Sequence, residues 1–78
     1  MNYPVELTII LRNNETYEIV TEKEAAENIK VRYLQSNTER IFVEGQTYSH
    51  KYNQMMNMSL CLDMADVRAI TIEWKKTS

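Results

Sequence analysis

Alternating apolar and polar positions mark the first strand that the sequence predicts. Apolar side chains occupy every second position from Val5 to Leu11, and a period of two is typical of a half-buried strand. Tyr17 and Ile19 continue the same apolar face on a return strand if a three-residue loop, 13–15, joins the two strands. A two-residue turn would move charged side chains onto that face, so we predict the longer loop.

A helix-start signal follows the second strand. Residues 21–24, Thr-Glu-Lys-Glu, have the capping-box form, in which the threonine hydroxyl and the second glutamate each bond to a free backbone amide. We predict one short helix near 22–28, because Ile29 and Tyr33 then fall into the alternation of a strand. A longer helix through Ala25, Ile29 and Tyr33 is the alternative.

Turn-forming residues separate the predicted elements in the middle of the chain. Ser36-Asn37-Thr38 predicts a hairpin loop, with the apolar run 41–43 returning on its far side. The segment 44–54 is polar and aromatic and has no clean period. We predict a turn at Gly45, followed by a mobile or solvated stretch.

Two strands are predicted for the last third of the chain. Apolar residues alternate with polar ones from Met56 to Met64, although Tyr52, Met56, Leu60 and Met64 also fit the spacing of a helix. The choice between strand and helix over 50–62 stays open at this point. The segment from Val67 to Trp74 alternates cleanly and predicts a final strand.

The phrase Leu-Cys-Leu-Asp-Met-Ala-Asp-Val-Arg-Ala-Ile-Thr-Ile at 60–72 resembles the last two strands of SH3-like small barrels, where one short helical turn joins them. The resemblance implies a partly closed small barrel and carries no functional motif. The predicted fold class is α+β, mainly β, with a four- to five-stranded antiparallel sheet and one short helix in a single domain spanning 1–78. The residues expected in the core are Val5, Leu7, Ile9, Leu11, Val31, Ile41, Val43, Leu60, Leu62, Ile70 and Ile72.

Composition and charge narrow the classes of function. The chain is 44% hydrophobic and 26% charged, as in globular domains. A formal net charge of −2 provides no strong basic field, so nucleic acid is not the expected partner. The N-terminus lacks a secretory signal, the longest aliphatic run is Ile9 to Leu11, and Cys61 is the single cysteine. These features predict a cytoplasmic protein without membrane spans.

Few residues are candidates for catalysis or for metal binding. His50 and Cys61 could form a thiolate–imidazole pair, but nothing in the pattern brings them together, and we interpret them as a loop residue and a packing residue. Asp63 and Asp66 lie three residues apart, a spacing that suits turn caps better than a calcium loop, which needs more oxygen ligands and a nearby glycine. We therefore predict no enzyme activity, no metal and no cofactor.

Two features favour binding to another protein. Five glutamates and a single lysine lie between Glu15 and Glu27, and such an acidic edge can steer a basic partner. Tyrosines and methionines crowd 48–58, and adaptable apolar surfaces often mark a partner or homodimer interface. The hypothesis is a small non-catalytic protein-binding module, inhibitor or accessory protein. Its predicted partner-binding residues are Glu18, Glu22, Glu24, Glu27, Tyr48, Tyr52, Met55 and Met56.

The alternative hypothesis is a small-barrel nucleic-acid-binding or transcription accessory protein. Lys30, Arg32 and Arg40 would supply the cations, with Tyr33 and Phe42 as stacking aromatics. The protein-binding hypothesis also fits the composition, because low glycine and proline with abundant Asn, Ile, Tyr and Met is similar to small accessory proteins of bacteriophages and low-GC bacteria.

Overall fold

The computed structural model describes residues 3–36 and 38–75. Asn37, at the centre of the predicted second hairpin loop, lies outside the described residues. The elements in chain order are β1 (Pro4–Leu11), β2 (Thr16–Glu22), α1 (Lys23–Leu34), β3 (Arg40–Ser49), β4 (Gln54–Asp63), a 3-10 helix (Met64–Asp66) and β5 (Val67–Glu73). The strands form one antiparallel sheet in the order β4-β3-β2-β1-β5. The mainly β, five-stranded fold class is therefore confirmed.

The first hairpin has a loop of the predicted length, placed one residue earlier than expected. The Leu11 amide donates to the Glu15 carbonyl at 2.8 Å, and the Asn14 amide donates back to the Leu11 carbonyl at 2.9 Å. Asn14 adopts φ 71°, a left-handed conformation that asparagine tolerates better than most residues. Ile9 consequently lies opposite Tyr17, whereas the predicted loop would place it opposite Ile19. Because the predicted and observed registers differ by two residues, the same side chains stay on the apolar face.

The core lies on one face of the sheet and centres on β1. Leu7 and Ile9 are fully buried, because β2 flanks them on one side and β5 on the other. Ala26 and Ile29 of α1 join the same buried cluster, so the helix covers this face. Of the expected core residues, Leu11, Leu62, Ile70 and Ile72 pack at its margin. The buried residues that the pattern missed are Ile19, Ala26, Ile29, Met64 and Val67.

The helix is the longer of the two alternatives. It begins at Lys23, one residue after the predicted start, and continues to Leu34, so the predicted strand over 29–33 is wrong. The predicted cap is also wrong, because the N-cap is Glu22 and no side chain caps the helix. The Thr21 hydroxyl donates instead to the Glu44 carbonyl at 2.7 Å. Ile29 faces the sheet, whereas Val31 is 47% exposed and is not a core residue.

The segment 44–54 is ordered strand rather than a turn and a solvated stretch. β3 runs through Gly45 to Ser49, and a turn at 50–53 leads into β4. β3 and β4 pair along their whole length, from Arg40 opposite Asp63 to Ser49 opposite Gln54. The helical alternative for 50–62 is thereby excluded. Asn53, with φ 54°, supplies the left-handed turn position.

β2 and β3 are joined through one backbone pair among the described residues, which we call the crossing. Within the described residues their ladder consists of one pair, Val20 opposite Gln46. The neighbouring Gly45 has no side chain, and a Cβ placed there would lie 2.1 Å from the Val20 carbonyl oxygen. The sequence therefore permits this close approach through its single glycine.

The link between β4 and β5 joins the two edges of the sheet. β4 and β5 lie at opposite ends of the strand order, yet three residues, Met64–Asp66, connect them in a 3-10 helix. The Met64 amide donates to the Glu39 carbonyl at 3.1 Å, and the Arg12 amide donates to the Asp66 carbonyl at 2.8 Å. The short helical turn implied by the SH3-like resemblance is present, while the sheet itself is not closed.

Candidate protein-binding surface

The far end of the β3–β4 hairpin extends past the ladder that joins it to the rest of the sheet. Beyond the crossing at Gln46, residues 47–56 have only each other as ladder partners among the described strands. We call this segment the hairpin end. Such a strand pair leaves its outward face and its turn open to a partner, while Thr47, Ser49 and Met56 on the core side are half-buried.

Large apolar side chains occupy the hairpin end without being buried. Tyr48 is 46% exposed, Tyr52 58% and Met55 48%. Tyr48 and Met55 lie directly opposite each other across the strand pair and so share one face, which we call the outer face. Exposed apolar side chains clustered on ordered backbone are typical of protein contact sites.

The aromatic rings at the hairpin end are held by local contacts. The Tyr48 hydroxyl donates to the Asn53 side-chain oxygen, and its ring packs edge-on against His50 at 5.0 Å between centroids. The Lys51 ammonium lies 5.3 Å from the centroid of the Tyr52 ring. These contacts restrict the side chains before binding and so lower the entropic cost of ordering them in a complex.

Met55 and Met56, which the sequence grouped together, lie on opposite faces of the hairpin. Met55 shares the outer face with Tyr48, whereas Met56 lies opposite Thr47 on the face that continues the core and is half-buried. The next outward position toward the sheet that bears a large apolar side chain is Phe42, which is 58% exposed and lies opposite Cys61. The sequence suggested Phe42 only as a stacking aromatic for nucleic acid, and its place on the outer face follows from the hairpin register.

The four glutamates predicted to bind a partner do not form one surface. Glu18 lies opposite Thr8 on the face of β1 and β2 that points away from the core. Glu24 and Glu27 lie on α1, which covers the core face, and Glu22 is the residue where β2 meets α1. Glu27 also forms an ion pair with Lys30 at 3.8 Å. The predicted acidic edge is therefore divided between two sides of the domain.

A different acidic group emerges from the strand pairing. Glu6 lies directly opposite Glu73, and Glu18 lies on a neighbouring position of the same solvent-facing side of the sheet. Like charges directly opposite each other destabilise a sheet, and a basic partner would relieve this repulsion. Glu6 and Glu73 were missed because their contact depends on the pairing of the first strand with the last.

No family model, curated protein or solved structure matches the chain.

A second exposed apolar surface lies between α1 and β5. Leu34 is 70% exposed and Trp74 59%, and they line a groove with Tyr33, Ile70 and Ile72. The Tyr33 hydroxyl donates to the Arg68 carbonyl at 2.8 Å, which ties the end of the helix to β5. This groove is the competing site for an apolar contact, and it too was missed from the sequence.

All four arginines of the chain gather around the β4–β5 link. The Arg12 Nε donates to the Ala65 carbonyl at 2.9 Å, and Arg68 follows the link on β5. Arg40 pairs with Asp63 at 3.2 Å, and Arg32 pairs with Glu39 at 3.5 Å. Two of the three cations expected for nucleic acid, Arg32 and Arg40, belong to this group, but carboxylates already balance part of their charge.

The candidate catalytic and metal-binding residues are dispersed. His50 lies in the turn at the hairpin end, while Cys61 lies seven residues beyond Gln54 on β4, a separation of roughly 23 Å at about 3.3 Å per strand residue. His50 and Cys61 therefore cannot act on one another. Over 3–36 and 38–75, His, Cys, Asp and Glu form no group of three or more that could hold a metal ion. The helix in this part of the chain is also too short and too polar to cross a membrane.

Proposed function

We propose that this domain is a non-catalytic protein-binding module, of the small accessory type that its composition resembles, and that the hairpin end is its contact surface. The observation that carries the proposal is the cluster of Tyr48, Tyr52 and Met55, each about half exposed on backbone that projects past the β2–β3 crossing. Such residues bury large apolar area in a complex at little conformational cost.

The charge of the partner follows from the solvent-facing side of the sheet. Glu6, Glu18 and Glu73 share this side, and the chain carries a net charge of −2. A partner with a basic rim would be drawn toward the domain by this field and would associate faster at low ionic strength. In this proposal the acidic side guides the encounter and the hairpin end makes the contact.

Site-specific photo-crosslinking tests the proposal. A benzophenone amino acid placed at Tyr52 probes the hairpin end, and the same residue at Trp74 probes the groove beside α1. The two positions are matched, since their side chains are 58% and 59% exposed. Expression in the native host followed by mass spectrometry should give one dominant cross-linked protein from position 52. A dominant adduct from position 74 alone would assign the contact to the groove and refute the proposed surface.

The arginine group supports a second candidate function. Arg12 and Arg68 lie with the Tyr33 ring around one depression beside the β4–β5 link, and cations next to an aromatic ring suit single-stranded nucleic acid. Fluorescence anisotropy with a labelled oligonucleotide tests it. Binding that weakens steeply with salt and is lost in Arg12→Ala and Arg68→Ala would favour this candidate over protein binding.

A further inference from the structure

The free edge of β4 carries no charge over most of its length. β4 is the edge strand next to β3, and residues 54–62 read Gln-Met-Met-Asn-Met-Ser-Leu-Cys-Leu, without a charged residue, proline or glycine. Edge strands normally carry such residues because unpaired backbone amides and carbonyls recruit other strands. The other edge, β5, does carry charges, at Arg68 and Glu73. The β4 edge is therefore less protected than the β5 edge against pairing with a strand of another chain.

We infer that β4 pairs with the β4 strand of a second copy of this chain, antiparallel, to form a two-fold symmetric dimer with a continuous sheet. An antiparallel pair with Met58 opposite Met58 would align the whole uncharged segment 54–62 with itself. A two-fold interface of this kind matches each residue with a partner on the same face. No like charges would meet within the aligned segment.

The charges at the two ends of β4 specify the direction of pairing. Lys51 lies in the turn before the uncharged segment, whereas Asp63 and Asp66 lie at or just beyond its other end. Antiparallel pairing brings the basic end of one copy toward the acidic end of the other. Parallel pairing would bring like charges together. Arg40 balances part of the Asp63 charge. Asp66 therefore supplies part of the attraction between the acidic end of one copy and Lys51 of the other.

The core face supplies the apolar area for this interface. Met56 and Met58 lie on the face of β4 that continues the core, and each remains half-buried in the single chain. In the register with Met58 on the two-fold axis, Met56 of one copy lies opposite Leu60 of the other. The exposed parts of these side chains would cover each other across the new strand pair. This inference is independent of the identity of any other partner.

Matched lysine substitutions on the two edges test the dimer. Ser59 and Thr71 are both exposed and lie on β4 and β5, respectively. Sedimentation equilibrium should give the wild-type protein a mass of twice 9.3 kDa. Ser59→Lys should reduce this mass to that of one chain, because it places a charge on the uncharged edge and the two lysines would lie diagonal to each other across the axis. Thr71→Lys should remain dimeric. A wild-type monomer at all concentrations, or a dimer that survives Ser59→Lys, would overturn the inference.

Two further variants test the strand and its direction. In a Cys61→Ser background, Met58→Cys places two thiols opposite each other on the two-fold axis and should form an intermolecular disulfide rapidly, whereas Thr71→Cys should not. The reverse pattern would assign dimerisation to β5 and refute this pairing. Lys51→Glu should weaken the dimer about fivefold at low salt, because it loses an attraction and gains a repulsion. An unchanged or stronger dimer in Lys51→Glu would contradict the antiparallel direction. Circular dichroism of each variant establishes that it is folded.

Discussion

Gly45 lies so close to the backbone of Val20 that a methyl group at Gly45 would stand 2.1 Å from the Val20 carbonyl oxygen. The same methyl group would lie 2.9 Å from a side-chain carbon of the buried Ile19. The crossing of β2 and β3 thus depends on a missing side chain, and it determines where the hairpin end leaves the sheet.

Gly45→Ala should therefore destabilise the domain strongly. The nearest clash is with backbone, which cannot rotate away as a flexible side chain can, so the strands must separate at their one ladder pair. We expect a loss of about 3 kcal/mol in the free energy of unfolding, measured by urea denaturation. Ser59→Ala, on the exposed side of β4, is the control and should change stability little. A fully stable Gly45→Ala variant would show that the crossing is looser than described.

Leu7→Ala should cost about 2–5 kcal/mol, a large fraction of the stability of so small a domain. Leu7 is fully buried between β2 and β5, so its removal leaves a cavity. Leu34→Ala is the matched control, since that leucine is 70% exposed. Leu62→Ala, at the margin of the core, should fall between them. Thermal unfolding should show the largest loss of stability for Leu7→Ala, an intermediate loss for Leu62→Ala and the smallest for Leu34→Ala. An equal effect of Leu7→Ala and Leu34→Ala would contradict this ranking.

Glu73→Lys should stabilise the sheet. Glu73 lies directly opposite Glu6 on β1, and the substitution replaces a repulsion with an attraction worth about 0.5 kcal/mol in a cross-strand pair. The midpoint of thermal unfolding should rise, and the gain should shrink as salt screens the pair. Glu24→Lys, in the first turn of α1, is the control and should not stabilise. A fall in the midpoint for Glu73→Lys would indicate that the two carboxylates do not repel each other.

Two substitutions should affect binding to the proposed partner in different ways. Tyr52→Ala removes apolar contact area at the hairpin end and should mainly speed dissociation, by about tenfold. Glu18→Lys reverses a charge on the solvent-facing side and should mainly slow association and weaken its dependence on salt. Surface plasmon resonance with the partner found by cross-linking separates the two rates. Unchanged rates in both folded variants would place the contact elsewhere.

The sequence pattern predicts the strands that have one buried face, but it does not predict the strands of the hairpin end. β1 and β5 alternate because one side of each packs on the core. Residues 44–54 lack an apolar alternation although the exposure of β3 does alternate there, because its core-side positions are Gly45, Thr47 and Ser49 rather than apolar side chains. Such a pattern predicts a turn at Gly45 and a mobile or solvated stretch, whereas the backbone forms a strand pair.

The helix boundary depended on contacts that a local pattern does not contain. Ile29 and Tyr33 fit both a strand and a helix, and the packing of Ile29 against the sheet selects the helix. Thr21 has the right neighbours for a cap, but its hydroxyl bonds to Glu44, twenty-three residues away. The outward position of Phe42 and the meeting of Glu6 with Glu73 likewise follow from pairing between distant strands.

The position of β1 has a consequence for the order in which the domain can assemble. β1 is an interior strand of the sheet and the first of the five strands along the chain, but one of its two neighbours, β5, is the last. Nearly all of this sequence must therefore leave the ribosome before β5 can pair beside Leu7 and Ile9. Contacts so distant along the chain slow the search for the native state. Until β5 arrives, the nascent chain exposes its most apolar strand, and chaperones would have this interval in which to bind it.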